Sequence, residues 1–174
     1  MLRQWRIEDR LDFAKINADP VVMAYYPDIL TAEQSNAMVD KLESLILQRG
    51  WGFWAVELIS DKSLVGFVGL HEPTYDLPVT PCVEIGWRLA KEHWGKGYAT
   101  EAAKVSLDVA FNTLGLSEVY SFASVSNARS RAVMERLNMI NTEQNFEHPI
   151  IPSYNPLREH VLYKINKQRW MESN

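Results

Sequence analysis

Two glycines, Gly95 and Gly97, stand between a stretch of alternating apolar residues and a strongly helical one. Glycine at such a place lets the backbone turn sharply and lets a ligand approach it closely. The helix that follows directs its free N–H groups and the positive end of its dipole back at the turn. Strand, glycine turn and helix start together make an anion site, most naturally for phosphate. A lone Gly-x-Gly is equally compatible with a simple turn. The third glycine of a dinucleotide fingerprint is absent, because Thr100 follows Ala99 at that position. The Gly-Lys-Ser/Thr sequence of a P-loop is absent too. A diphosphate held by backbone amides alone remains.

The run Trp94-Gly95-Lys96-Gly97-Tyr98-Ala99-Thr100-Glu101-Ala102 resembles the acetyl-CoA loop of the GNAT superfamily of N-acetyltransferases. That loop has the form Gln/Arg-x-x-Gly-x-Gly/Ala. Gly97 and Ala99 match its last two fixed positions, and Trp94 departs from the first. Tryptophan there, after the strand Glu84-Ile85-Gly86-Trp87, resembles the branch of ribosomal-protein N-terminal (alanine or serine) acetyltransferases. Ser126-Asn127-Ala128-Arg129-Ser130 and Met134-Glu135-Arg136-Leu137-Asn138-Met139 are similar to that branch's N-x-x-S and E-K-L-G-F elements, with Asn138 in place of glycine. The opening Leu2-Arg3-Gln4-Trp5 and the later Asn17-Ala18-Asp19-Pro20 fit the same branch. The likeness runs from Leu2 to Lys164.

The resemblance implies a strand ending near Leu89 that splays from one beginning near Glu118, with acetyl-CoA lying in the gap. Amides from Gly95 to Thr100 then hold the pyrophosphate, with the Lys96 charge either assisting or solvated. The backbone near Trp87 and Leu89 pairs with the pantetheine arm, and an amide near Leu89 serves as oxyanion donor. Asn127 contacts the pantetheine, caps its helix, or does both.

Acyl transfer to an amine requires a neutral nucleophile, although a lysine-like amine has a reference pKa of about 10.4. It also requires a stabilised oxyanion and a leaving thiolate whose reference pKa is about 8.5. Glu84 is the candidate base, directly or through water; the alternative is a structural carboxylate. Ser130 is the candidate acid, the alternative being helix surface. Other GNAT branches carry a tyrosine seven residues after the asparagine, and that position here is Met134. Cys82 has no neighbour in sequence that lowers its pKa and reads as passive. Tyr25, Tyr26 and the 145–160 loop are expected to rim the acceptor cleft or simply to pack.

The elements that must position these groups follow from periodicity and punctuation. Leu2–Arg6 reads as a strand, and 7–18 as a helix with Ile7, Leu11, Ala14 and Ala18 on one stripe. Thr31 and Gln34 form a capping-box pattern for a helix carrying Met38, Leu42, Leu45 and Ile46, stopped by Gly50. Residues 51–59 and 64–70 form a hairpin around Ser60–Ser63. The proline-bearing stretch 72–81 is a loop, and 82–90 alternates Val83, Ile85, Trp87 and Leu89 against Glu84, Gly86 and Arg88. A helix over 97–114, a strand over 118–125, a helix over 127–137 with Asn138 as left-handed stop, and strands over 139–146 and 160–165 complete the chain. The fold class is therefore α+β (mixed α/β). The resemblance implies one GNAT-like acyltransferase domain over 1–174, with a mostly antiparallel mixed sheet of about seven strands, splayed between strands 4 and 5, and helices on both faces.

Composition agrees with such a chain. Its 174 residues are 47% hydrophobic and 23% charged, the proportions of an ordinary globular domain. The net charge of −4 disfavours nucleic acid as a partner. A single cysteine, a charged N-terminus and the lack of a long apolar run point to a cytoplasmic protein without a membrane anchor. The four histidines are scattered, so no metal is expected. The expected activity is acetyl transfer from acetyl-CoA to a primary amine, a protein N-terminus or a small molecule, by direct attack in a ternary complex. A CoA-binding sensor without turnover is the rival, and either could be a monomer or a homodimer.

Overall fold

The computed structural model describes residues 1–172. The strands are β1 (Leu2–Arg3), β2 (Phe53–Glu57), β3 (Leu64–His71), β4 (Glu84–Leu89), β5 (Glu118–Ser124), β6 (Ile140–Asn141), β7 (Phe146–Glu147) and β8 (Glu159–Asn166). The helices are α1 (Asp9–Ala18), α2 (Ala32–Arg49), α3 (Tyr98–Asp108), α4 (Ala128–Arg136) and α5 (Lys167–Glu172). The strands form one sheet in the order β1-β2-β3-β4-β5-β8-β6, with β7 also on β8. The β1–β2, β2–β3 and β5–β8 pairs are antiparallel and β4–β5 is parallel, so the mixed α/β expectation holds.

The chain divides into two compact units, Met1–Gly69 with Gly86–Ala102, and Leu70–Ile85 with the chain from Ala103 onward. In the first, Trp5, Phe13, Ile16, Val39, Leu42, Ile46 and Phe67 form a buried cluster. The Phe13 ring lies 4.8 Å from Trp5 and 6.0 Å from Phe67, centroid to centroid. The capping box is present as read, with Gln34 N donating to Thr31 Oγ1 at 3.2 Å and Thr31 N donating to Gln34 Oε1 at 2.9 Å. Gly50 ends α2 at φ 81°. The apolar stripe expected on α1 is not the buried one. Ile7 and Leu11 are exposed, and Asp9, Phe13, Ile16 and Asn17 face inward. Asp9 tolerates this because Arg3 meets it through two bonds of 2.7 Å, while Arg3 Nε reaches Glu57 Oε2 at 2.6 Å. Those carboxylates hold the Arg3 guanidinium firmly protonated.

In the second unit β5 and β8 pair over seven registers, from Glu118↔Asn166 to Ser124↔His160. Three expectations change here. The helix begun at Tyr98 becomes a π turn over Val109–Thr113 before Gly115 stops it at φ 67°. The strand expected over 139–146 is broken into β6 and β7, because Glu143 turns to φ 60° with its N–H bonded to Asn141 Oδ1 at 2.9 Å. The short α5 after β8 has no counterpart in the sequence reading. Asn138 does take the left-handed stop after α4, at φ 61°.

Gly66 is the position in β3 that fixes β4. A Cβ built there would lie 2.1 Å from the Arg88 carbonyl oxygen and 2.8 Å from the Leu89 Cα, at φ 142°. Gly66→Ala should therefore destabilise the protein by about 2 kcal/mol or more, read as a lowered denaturant midpoint. An unchanged midpoint would contradict this close approach.

Candidate active site

In the first unit, β4 leads directly into the glycine turn. Ala90 N donates to Val65 O at 2.9 Å, which turns that amide toward β3. Successive N–H groups along a strand point to opposite edges, so the Leu89 amide faces the other edge of β4. A short 3₁₀ turn over Lys91–His93 then reverses the chain. Trp94 returns its indole Nε1 to the Leu89 carbonyl at 2.9 Å and packs half-buried against the core. Its place in the loop is thus a hydrogen bond that ties the turn to the end of the strand.

Beyond Trp94 the backbone is open. Gly95 and Gly97 adopt φ 74° and φ 86°, and a Cβ at either would meet nothing within 4 Å. The first helical bond is Glu101 N to Gly97 O at 3.0 Å, so the Tyr98, Ala99 and Thr100 amides precede the helical ladder. Gly95, Lys96 and Gly97 are exposed. The His93 and Tyr98 rings, 6.0 Å apart, stand at the two ends of the turn. Amides at a helix start, on a turn with room beside it, suit a diphosphate.

The second unit holds Glu84, Asn127 and Ser130. Glu84 opens β4 opposite Tyr120 of β5, the one register at which the two strands pair among the described residues. Tyr120 N donates to Val83 O at 3.0 Å, and Ser121 Oγ donates to Ile85 O at 2.9 Å. No hydrogen bond or ion pair reaches the Glu84 carboxyl among the described residues. The residue as a whole is half-buried, but its carboxyl is desolvated, and that pushes its pKa up to about 8. Burial, and secondarily the Glu84 charge, push the Cys82 thiol up to about 11, which removes it as a nucleophile. Asn127 caps α4, its Oδ1 accepting from Ser130 N at 3.1 Å. The Asn127 amide nitrogen and the half-buried Ser130 hydroxyl carry no bond among the described residues. Met134 is buried.

Residues 1–140 match the acetyltransferase (GNAT) domain. The chain belongs to the GNAT acetyltransferase family. It is 26% identical to the N-acetyltransferase YnaD of Bacillus subtilis, over 98% of this chain and 95% of that one. It is 33% identical to YdaF of the same organism, a candidate ribosomal N-acetyltransferase, over 65% of this chain and 59% of that one. A GNAT-family acetyltransferase structure from Bacillus anthracis superposes with a TM-score of 0.78 at 27% identity, covering 96% of this chain and 94% of that one. The same fold occurs in spermidine N-acetyltransferase from Vibrio cholerae bound to CoA and spermine, at 20% identity, a TM-score of 0.76 and coverage of 98% and 97%. This GNAT protein is accordingly an acetyl-CoA-dependent N-acetyltransferase.

Trp87, Leu89 and the 94–100 turn lie together on β4 and its continuation in the first unit. Glu84, Asn127 and Ser130 lie in the second. Two features were not foreseen. Arg88, assigned to the polar face of its strand, is buried at 8% exposure. In the second unit, Tyr75, Phe122, Phe146, His148 and His160 cluster, with Tyr75 Oη and His148 Nε2 at 3.2 Å. Burial, and then His160, push His148 down to about 4, so it is neutral at physiological pH. No local pattern in the sequence announces either feature.

Gly97→Val should lower acetyl-CoA affinity at least tenfold by calorimetry. The left-handed backbone strains a β-branched residue, and the new side chain would stand beside the amides. Unchanged affinity would remove the turn from CoA binding.

Proposed function

We propose that this chain is a single acyltransferase domain over residues 1–174 that moves the acetyl group of acetyl-CoA to a primary amine by direct attack. The observation that carries the reading is the continuous path from β4 through the Trp94-anchored turn to the unbonded amides that start α3. In this reading the Gly95–Thr100 amides hold the pyrophosphate, helped by the Lys96 charge. The Trp87 and Leu89 backbone lines the pantetheine arm. Acetyl-CoA supplies the thioester, and the Leu89 amide donates to its carbonyl oxygen as charge develops.

Glu84 removes the proton that the amine loses, and Ser130 gives a proton to the departing sulfur. The Asn127 amide nitrogen, left over from capping, donates toward the pantetheine. A carboxyl near pKa 8 is about one-tenth ionised at pH 7, yet its basicity is matched to a proton transfer near neutral pH. The acceptor is a protein N-terminus or a small amine; the family likeness to a candidate ribosomal acetyltransferase supports the first. The single cysteine fits a reducing compartment, and we place the protein in the cytoplasm as a monomer or homodimer, without nucleic-acid or membrane partners. No helix among the described residues is long and apolar enough to cross a membrane.

The test is thiol release with acetyl-CoA across a panel of peptides and small amines. Turnover on a primary amine supports the proposed reaction; CoA binding with no turnover on any amine would contradict it. For the base, the wild-type to Glu84→Gln rate ratio cancels the acceptor's own ionisation. That ratio should rise about tenfold per pH unit toward pH 8 and level off above it. A flat ratio removes Glu84 from proton transfer.

The same carboxyl makes a stability prediction. Its folded pKa, about 8, lies above the ordinary glutamate value of 4.5, so the folded state binds more protons between those values. Its contribution is present in full below about pH 4.5 and is lost as pH rises through about 8. Thermal melts of the wild type should fall relative to Glu84→Gln across that window, and parallel profiles would contradict the burial of the carboxyl.

A further inference from the structure

Arginine side chains in the interior ordinarily meet a carboxylate, because an unpaired buried charge is costly. Arg3 obeys this rule twice over, through Asp9 and Glu57. Arg88, in the same unit and 8% exposed, does not. No carboxylate lies within ion-pair distance of it among the described residues. Its Nη1 donates to Asn17 Oδ1 at 2.6 Å and approaches Met38 Sδ at 3.8 Å. Asn17, fully buried, donates in turn to the buried Ser35 Oγ at 2.8 Å, so that edge of the guanidinium is fixed from α1 and α2. The guanidinium lies over the Tyr26 ring at 4.1 Å and the Phe67 ring at 5.5 Å.

What is left is the edge formed by Nε and Nη2. Nε is buried with no partner, and Nη2 makes no hydrogen bond among the described residues. Two parallel N–H groups on one guanidinium edge are the fork that a carboxylate occupies in bidentate fashion. The next residue is Leu89, whose amide the acetyltransferase reading assigns to the thioester carbonyl. An anion on the Arg88 fork is then within one arginine side chain of the backbone at which the acceptor amine must react. Resting on that reading, we propose that Arg88 sets acceptor specificity by binding a carboxylate carried by a small amine substrate.

The experiment compares matched acceptors, amino acids and ω-amino acids against their amides, by thiol release with the full-length protein. The carboxylate member of at least one pair should have a kcat/KM at least tenfold higher, mainly through KM. Arg88→Gln should bring that ratio close to one, and Arg88→Lys should leave an intermediate ratio, because its charge lacks the fork. A wild-type ratio near one in every pair overturns the proposal, as does a preference that survives in folded Arg88→Gln. If the variants fail to fold or no pair is turned over, titration of wild-type protein with the N-acetylated amino acids and their amides decides. Carboxylate products binding at least tenfold tighter support the fork, and equal binding overturns it. Failure to bind acetyl-CoA would instead strike the acetyltransferase reading beneath it.

Discussion

The site depends on how strand β4 ends. Its backbone must stay pressed against β3 as far as Ala90 and then leave the sheet, reverse and start a helix within eight residues. Gly66 permits the close approach at Arg88 and Leu89, since any Cβ there would collide with the Arg88 carbonyl. The Trp94 indole then ties the turn back to the Leu89 carbonyl. Gly95 and Gly97 supply the left-handed backbone that a side chain resists. These local constraints leave a row of amides at the start of α3, where the helix dipole favours an anion.

Ionisable groups in the interior are handled in three ways, and the differences are informative. Arg3, Asp9 and Glu57 are mutually paired, which is a structural arrangement. Glu84 has no partner among the described residues, and desolvation raises its pKa instead of holding the charge. Arg88 is handled in the third way, with no carboxylate beside it among the described residues. It is steadied by an asparagine and two rings, with one donor edge unsatisfied. Unpaired groups of this kind gather where a protein meets substrate.

Much of the fold was legible because its signals are local. Thr31 and Gln34, Gly50, Asn127 and Asn138 each act within a few residues, and all four boundaries stand as read. Errors arose where tertiary contacts choose between local options. Apolar residues lie on more than one side of α1, and only the packing of Phe13 and Ile16 against Trp5 and Phe67 selects the buried stripe. The break after β6 comes from an Asn141 side chain capturing the Glu143 amide, a turn that alternation of apolar residues does not reveal. The glycine turn itself was legible from Gly95 and Gly97 and their place between strand and helix. The anchoring by Trp94 and the burial of Arg88 were not, because both rest on contacts that spacing along the chain does not encode.

In the proposed binding mode, the turn after β4 presents its amides to the pyrophosphate of acetyl-CoA. This mode is tested most directly by amide-resolved NMR titration with CoA and with dephosphorylated pantetheine. CoA should shift the resonances of Gly95, Gly97, Tyr98, Ala99 and Thr100 most strongly. Pantetheine, which lacks the diphosphate, should leave them nearly unmoved. Equal shifts with both ligands, or CoA shifts concentrated away from this turn, would contradict it.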